Sequence, residues 1–259
     1  MSSAATEPVL RVDAVTKRFG GLTAVKALEM TVATGALYGL IGPNGAGKTT
    51  IFNLLTGVYA PTEGEIRFCG QRIDGHRPCE ITKRGIGRTF QNIRLFADMS
   101  VLQNVMTAHH LRSRQTMLDA VLGTKRHHVE EAETRDRALE LLEIFGLAEV
   151  ANEQATSLPY GRQRRLEIAR ALATEPRLLL LDEPAAGMNP QESVELMHLI
   201  GWLRERFDLT IVLVEHNMKV VMGICETIQV IDYGVSIAIG TPDEIQANPR
   251  VIEAYLGGA

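Results

Sequence analysis

The chain has 259 residues, 45% of them apolar and 22% charged, which is ordinary for a globular protein and long enough to bury a large core. Its 27 basic residues against 31 acidic ones leave a net charge of −4, so no global positive field recruits nucleic acid. Cys69, Cys79 and Cys225 are odd in number and lack C-x-x-C spacing, which argues against a disulfide framework or a zinc site and for a reducing cytosol.

The N-terminal MSSAATEPVLRVD has neither the basic start nor the apolar stretch of a leader. Apolar runs such as Ile211–Val214 fall far short of the ~18 residues that span a bilayer, so the chain is not expected to cross a membrane by itself. From Val9 onward, short alternating runs broken at Gly20-Gly21 and Gly35 predict antiparallel strands. Tyr38–Ile41 reads as a buried strand that feeds GPNGAGKTT, Gly42–Thr50, a match to G-x-x-x-x-G-K-[ST]. In such a loop Gly42, Gly45 and Gly47 let backbone N–H groups turn inward on phosphate oxygens at a helix N-terminus. Lys48 adds a point charge toward the β- and γ-phosphates, and the Thr49 hydroxyl ligates Mg²⁺. The whole loop, with Pro43, Asn44, Ala46 and Thr50, is therefore expected to bind ATP. The helix from Lys48 to Thr56 should stop at Gly57, and Gly64–Ile73 should hold a strand pair with turns at Cys69-Gly70 and Asp74-Gly75.

Between Asn92 and Ser157 strand signals disappear. Ser100 is a candidate N-cap for SVLQNVMTAHH, and a second helix is expected over Val129–Phe145. Ala138, Leu139, Leu142 and Phe145 would form its apolar face, with Gly146 as the stop. The basic stretch Leu111–His128 reads either as a solvated loop or as a docking surface. After Arg177 the strand–helix alternation returns. Arg177–Leu181 is a parallel-sheet run ending in Asp182-Glu183, Gln191–Phe207 is a helix after Pro190, and Leu209–Val214 is a further buried strand. A carboxylate at a strand end suits Asp182 for the magnesium shell and Glu183 for polarising the attacking water. There is no internal repeat and one phosphate loop, so one copy supplies one nucleotide-binding half.

The stretch SLPYGRQRRLEIARALATEPRLLLLDEP, Ser157–Pro184, lying downstream of GPNGAGKTT, resembles the ATPases of the ATP-binding-cassette (ABC) family over nearly the whole chain. The resemblance implies an α/β phosphate-loop NTPase fold: a mostly parallel sheet, an N-terminal antiparallel β subdomain and an inserted α-helical subdomain. The implied division of this single ATP-binding domain is a core at 9–91 and 158–240, helices at 92–157 and a helical tail at 241–259. It further implies that Phe19 stacks on adenine and that Gln91 contacts Mg²⁺ and the water. His216 would contact the γ-phosphate, and the turn Tyr160, Gly161, Arg162 would close over a nucleotide held by a partner. The chain departs from the common LSGGQ string, with Pro159 in the place of serine and Arg162 in that of glutamine, and Asn189 stands where an aspartate is usual. The changes at Pro159 and Arg162 bear on how strongly the turn donates to phosphate, and Asn189 keeps the polarity of an aspartate but loses its charge.

Within the family, RFGGLTAV, RTFQNIRLF, DEPAAGMNP, VEHNMKVVMGI and NPRVIEAYLG resemble the LivG-type subunits of branched-chain amino-acid importers. That likeness implies a LivF-like second ATPase or a homodimer, two membrane permease subunits and, indirectly, a periplasmic or lipid-anchored substrate-binding protein, at the cytoplasmic face of the inner membrane. The alternatives are the ATPase of an amide or urea importer, a soluble ABC ATPase and a small-molecule kinase. The soluble ATPases usually carry two cassettes or a long coiled-coil insertion, neither of which is visible. A kinase has no reason for LPYGRQRRLEI ahead of LLLLDE.

Overall fold

Two sheets and a set of helices make up the computed structural model, which describes residues 7–109, 111 and 125–256. Four strands, β1 (Leu10–Phe19), β2 (Leu22–Val32), β4 (Glu63–Phe68) and β5 (Gln71–Arg72), form an antiparallel sheet in the order β2-β1-β4-β5. The ladder of β1 shifts between Val12 and Val15, next to Ala14 at φ 47°, and this bulge keeps both valines on the buried side despite their odd spacing.

The second sheet runs β10-β9-β3-β8-β7-β6. Here β3 (Leu37–Ile41), β6 (Ile86–Arg88), β7 (Leu178–Asp182), β8 (Thr210–Val214) and β9 (Thr227–Asp232) are parallel, and β10 (Val235–Gly240) closes the edge antiparallel to β9. Every residue of β3, β7 and β8 is buried, as continuous apolar runs in a covered parallel sheet require. Leu40 pairs with Val214 and Asp182 with Val214, so the carboxyl ends of β3, β8 and β7 lie side by side. In open α/β sheets that edge is where ligands bind.

The chain divides into two compact units, Met1–Arg88 with Arg177–Ala259, and Thr89–Pro176. The first holds both sheets with α1 (Lys48–Leu55), α2 (Pro78–Arg84), α6 (Pro190–Arg206), α7 (Met218–Ile224), α8 (Pro242–Gln246) and α9 (Pro249–Leu256). Its core joins Leu10, Val12 and Ile66 of the first sheet to Leu40, Leu180 and Val214 of the second, with Phe52 and Leu55 of α1. The second unit holds α3 (Val101–His109), α4 (Lys125–Ile144) and α5 (Tyr160–Leu172). Its bounds differ from the expected 92–157, because α5 packs on α3 and Thr89, Phe90 and Gln91 go with the helices.

Ser100 caps α3 as expected: its hydroxyl accepts from the Gln103 N–H at 3.1 Å, and the Gln103 side chain accepts from the Ser100 N–H at 2.9 Å. α4 begins at Lys125, earlier than expected, and its buried stripe is Ala138, Leu141, Leu142 and Phe145. Leu139 lies about 100° around the helix from Ala138 and is only half-buried, so Leu141 takes its place in the i, i+3, i+4, i+7 pattern. Of the basic stretch 111–128, residues 112–124 lie outside the described residues, and the docking expectation with them. The three cysteines are free, and among the described residues no helix is long and apolar enough to cross a membrane.

Candidate nucleotide site

The phosphate loop bridges β3 and α1, and its glycines answer to local sterics. A Cβ at Gly42 would stand 2.0 Å from the Ile231 carbonyl oxygen, and Gly47 adopts φ 107°. The turn between β9 and β10 anchors the loop, the Gly234 N–H donating to the Ala46 carbonyl at 2.8 Å. Lys48 donates to the carbonyls of Gly42 at 2.6 Å and Pro43 at 2.9 Å. Burial lowers the pKa of its ammonium, while Glu183 and Asp182 pull the other way. Gly47 is the N-cap of α1 and offers no side-chain acceptor, so the first amides of that helix are left for an anion.

At the neighbouring strand ends, Asp182 is buried and Glu183 sits at φ 48°, its N–H donating to the Val214 carbonyl at 2.8 Å. A left-handed backbone in a non-glycine residue marks a turn held by its surroundings. It brings the Glu183 carboxylate to 3.5 Å from His216 Nδ1, the histidine being 56% exposed and the glutamate 13%. Phe19, at the end of β1, is half-exposed rather than a core residue. It meets Tyr59 edge-on at 5.1 Å, with Lys17 Nζ 5.0 and 5.6 Å from the two rings.

The structure thus places the phosphate loop, Asp182, Glu183 and His216 at adjoining strand ends of one unit. Gln91 and Tyr160–Arg162 belong to the other unit. Pro159 is the N-cap of α5 and accepts no first-turn amide through a side chain. The first intrahelical bond runs from the Gln163 N–H to the Pro159 carbonyl, so the donors left at this helix start are the N–H groups of Tyr160, Gly161 and Arg162. Compared with serine, the proline forgoes both a hydroxyl and the N-cap N–H. Asn189 is the N-cap of α6, accepting from the Glu192 N–H at 2.9 Å while Glu192 accepts from the Asn189 N–H at 3.1 Å. Thr241 caps α8 in the same way.

Four features were not anticipated from the sequence. Arg88, at the end of β6, donates to Asp182 at 3.1 Å, to Asn53 at 2.7 Å and to Thr56 at 3.1 Å, with 6% exposure of its side chain and 3% of the aspartate's. Glu215 is buried and accepts from the Ala185 N–H at 2.9 Å. Burial pushes its carboxyl above the ordinary range, against opposing pulls from Ala185 and His216. Tyr59 stands beside Phe19, and a buried pair, Arg164 and Glu167, occupies α5. A cation ending a strand whose other residues are apolar was the available signal for Arg88. For Glu215 it was a carboxylate directly after an apolar strand.

The donor set suits Mg²⁺ bound together with phosphates. Thr49 and Asp182 offer hard oxygens, and among the described residues no cluster of three His, Cys, Asp or Glu side chains cages a metal alone.

A family model described as ABC transporter matches residues 25–186, and a second, described as branched-chain amino acid ATP-binding cassette transporter, matches 237–259. The chain is 47% identical over 254 residues to the high-affinity branched-chain amino acid transport ATP-binding protein LivG of Escherichia coli K12, covering 98% of this chain and all of that one. The corresponding protein BraF of Pseudomonas aeruginosa is also 47% identical over 254 residues. Among solved structures, the ADP conformation of an ATP-binding cassette of an ABC transporter superposes with a TM-score of 0.83 at 28% identity, covering 96% of this chain and 99% of that one. A dimeric post-hydrolysis cassette bound to ADP and Pi superposes with a TM-score of 0.77 at 28% identity, covering 90% of this chain and 98% of that one. With its phosphate loop, strand-end carboxylates and histidine on this fold, the chain belongs to the ABC transporter family as an ATP-binding, ATP-hydrolysing cassette.

Proposed function

We propose that the chain is the ATPase subunit that powers import of branched-chain amino acids through partner permeases. The observation that carries this reading is the 47% identity over essentially full length to LivG and BraF, joined to a strand-end constellation fit for ATP hydrolysis. The amides of α1 and Lys48 bind and orient the triphosphate. Thr49 and Asp182 would hold Mg²⁺, with Gln91 assigned to the same ion by the family resemblance, and the ion would supply charge neutralisation on the phosphates. Glu183 orients the attacking water and accepts its proton, and His216, 3.5 Å away, meets the γ-phosphate. Phe19, steadied by Tyr59 and Lys17, gives adenine an aromatic face.

Two cassettes, this chain with a LivF-like partner or with a second copy, sandwich each nucleotide between one phosphate loop and the other's Tyr160–Arg162 turn. A similar cassette is dimeric with ADP and Pi, which supports the arrangement. The cassette docks on two permease subunits at the cytoplasmic face of the membrane, and a substrate-binding protein delivers the amino acid from the other side. Phe96, 45% exposed, with the Arg170 guanidinium 5.3 Å from its ring, is the candidate docking residue.

The test is uptake of labelled leucine, isoleucine and valine by a strain deleted for this chain. Wild type should restore uptake, and Glu183→Gln should restore none while still binding ATP. Restored uptake of amides or urea in place of branched-chain amino acids would overturn the substrate assignment. Hydrolysis by Glu183→Gln at near the wild-type rate would overturn that of the base.

A further inference from the structure

The most deeply buried charges among the described residues of the second unit serve no step described so far. Arg164, the largest fully buried side chain among the described residues, is 0% exposed, and Glu167, one helical turn on, is 1% exposed. They contact each other at 2.7 Å on α5. Replacing such a pair by apolar residues of similar volume is often neutral or stabilising, because desolvation offsets the attraction. Stability alone therefore does not account for it.

Four further contacts of the pair run to one short segment. Arg164 donates to the carbonyls of Phe90 at 2.6 Å and Gln91 at 2.8 Å. A Glu167 oxygen accepts from the N–H groups of Phe90 at 3.3 Å and Arg94 at 3.4 Å. Both the N–H and the carbonyl of Phe90 are thus held by side chains of the helix that begins at Tyr160, four residues before Arg164. The two charges replace the sheet partners that a backbone just leaving β6 would otherwise lack.

We propose that Arg164 and Glu167 are positioning residues that fasten the backbone of Gln91 to α5, so that Gln91 and the Tyr160–Arg162 turn move as one body. The inference rests on the assignment of Gln91 to the magnesium and the attacking water. A shift of Gln91 with the γ-phosphate then reorients the first amides of α5, the donors offered to the partner's nucleotide. Arg94, its guanidinium 4.3 Å from the Phe90 ring, rides with the same segment.

The test uses Arg164→Lys, which keeps the charge but loses the planar fork, and the double variant Arg164→Met/Glu167→Leu, which removes the buried charges while preserving bulk. Hydrogen exchange on the full chain should show the Phe90 and Arg94 amides protected in wild type and at least tenfold less protected in the double variant. In the assembled transporter both variants should lower kcat roughly 10-fold or more, the worth of one charged hydrogen bond, with KM for ATP within about twofold of wild type. In a Gln91→Ala background the same changes should cost less than about twofold, because the residue they position is gone. A loss of equal size in that background, a loss that falls on KM, or unchanged exchange at Phe90 and Arg94 overturns the proposal. Wild-type hydrolysis by Gln91→Ala alone would instead overturn the assignment of Gln91.

Discussion

Removing the Arg88 guanidinium tests whether the Asp182 carboxylate is held by a buried cation. The pair is 6% and 3% exposed, separated by 3.1 Å, and Arg88 also satisfies Asn53 and Thr56 at the end of α1. Breaking a buried pair by deleting one partner costs about 3–5 kcal/mol, against a total stability of about 5–15 kcal/mol for a typical protein. Lys48 still faces Asp182 electrostatically, which places the expected loss at the lower end of that range. At roughly 2–4 °C per kcal/mol, a loss near ~3 kcal/mol means that Arg88→Met should lower the unfolding midpoint by about 6–12 °C. The assay is calorimetry on the full chain without nucleotide, alongside Asp182→Asn and the double variant. Asp182→Asn should recover much of the loss in the Arg88→Met background, because it removes the charge left behind. A midpoint for Arg88→Met within 2 °C of wild type, or additive losses in the double variant, would refute the reasoning.

Lys48→Ala should abolish tight Mg²⁺-dependent ATP binding, since the polyphosphate loses its principal counter-charge; retained binding by calorimetry would sink the assignment of the loop. Glu215, its pKa raised by burial from the ordinary 4.5, holds its proton more tightly folded than unfolded. Its contribution therefore favours the fold below that ordinary value and is lost as pH rises through the raised one. Glu215→Gln keeps an acceptor for the Ala185 N–H, so it should raise the unfolding midpoint at pH 8 and match wild type near pH 4, and a variant less stable at pH 8 would count against this. Pro159→Ser supplies a hydroxyl at the N-cap of α5. It should stabilise the free chain by about 1 kcal/mol and tighten ATP at the partner's phosphate loop roughly 10-fold or more, and if neither changes the missing hydroxyl has no consequence.

Much of the site was legible because each part has a local grammar. Gly42–Thr49 is a spacing, Asp182-Glu183 ends an apolar run, and Gly57, Gly146 and Ser100 punctuate helices by their backbone or side-chain chemistry alone. The parts that stayed hidden depend on partners far along the chain. Arg88 meets Asp182 across 94 residues and Arg164 meets Phe90 across 74, and neither pairing leaves a periodic mark. Leu139 was misassigned to the apolar stripe for a milder reason, since several adjacent leucines fit a helical period and only packing chooses among them. The unit boundary shifted to Thr89–Pro176 for the same cause: α5 reads as the start of the catalytic motif, yet its buried face packs on α3.

α1 and α5 begin without a side-chain cap, whereas α6 and α8 are closed by Asn189 and Thr241. Each cap forgone leaves a helix about 1 kcal/mol short of what it could have. In α1 a bound nucleotide returns that increment. In the proposed sandwich α5 would recover it only from a partner carrying nucleotide, so a copy made in excess of its partner would stay in the less stable state, out of reach of ligand binding to the assembled form. Cellular proteases sample the unfolded fraction, which grows about fivefold for each kcal/mol lost. Orphan copies should accordingly turn over faster than paired ones, and subunit stoichiometry becomes partly self-correcting through the first turn of one helix.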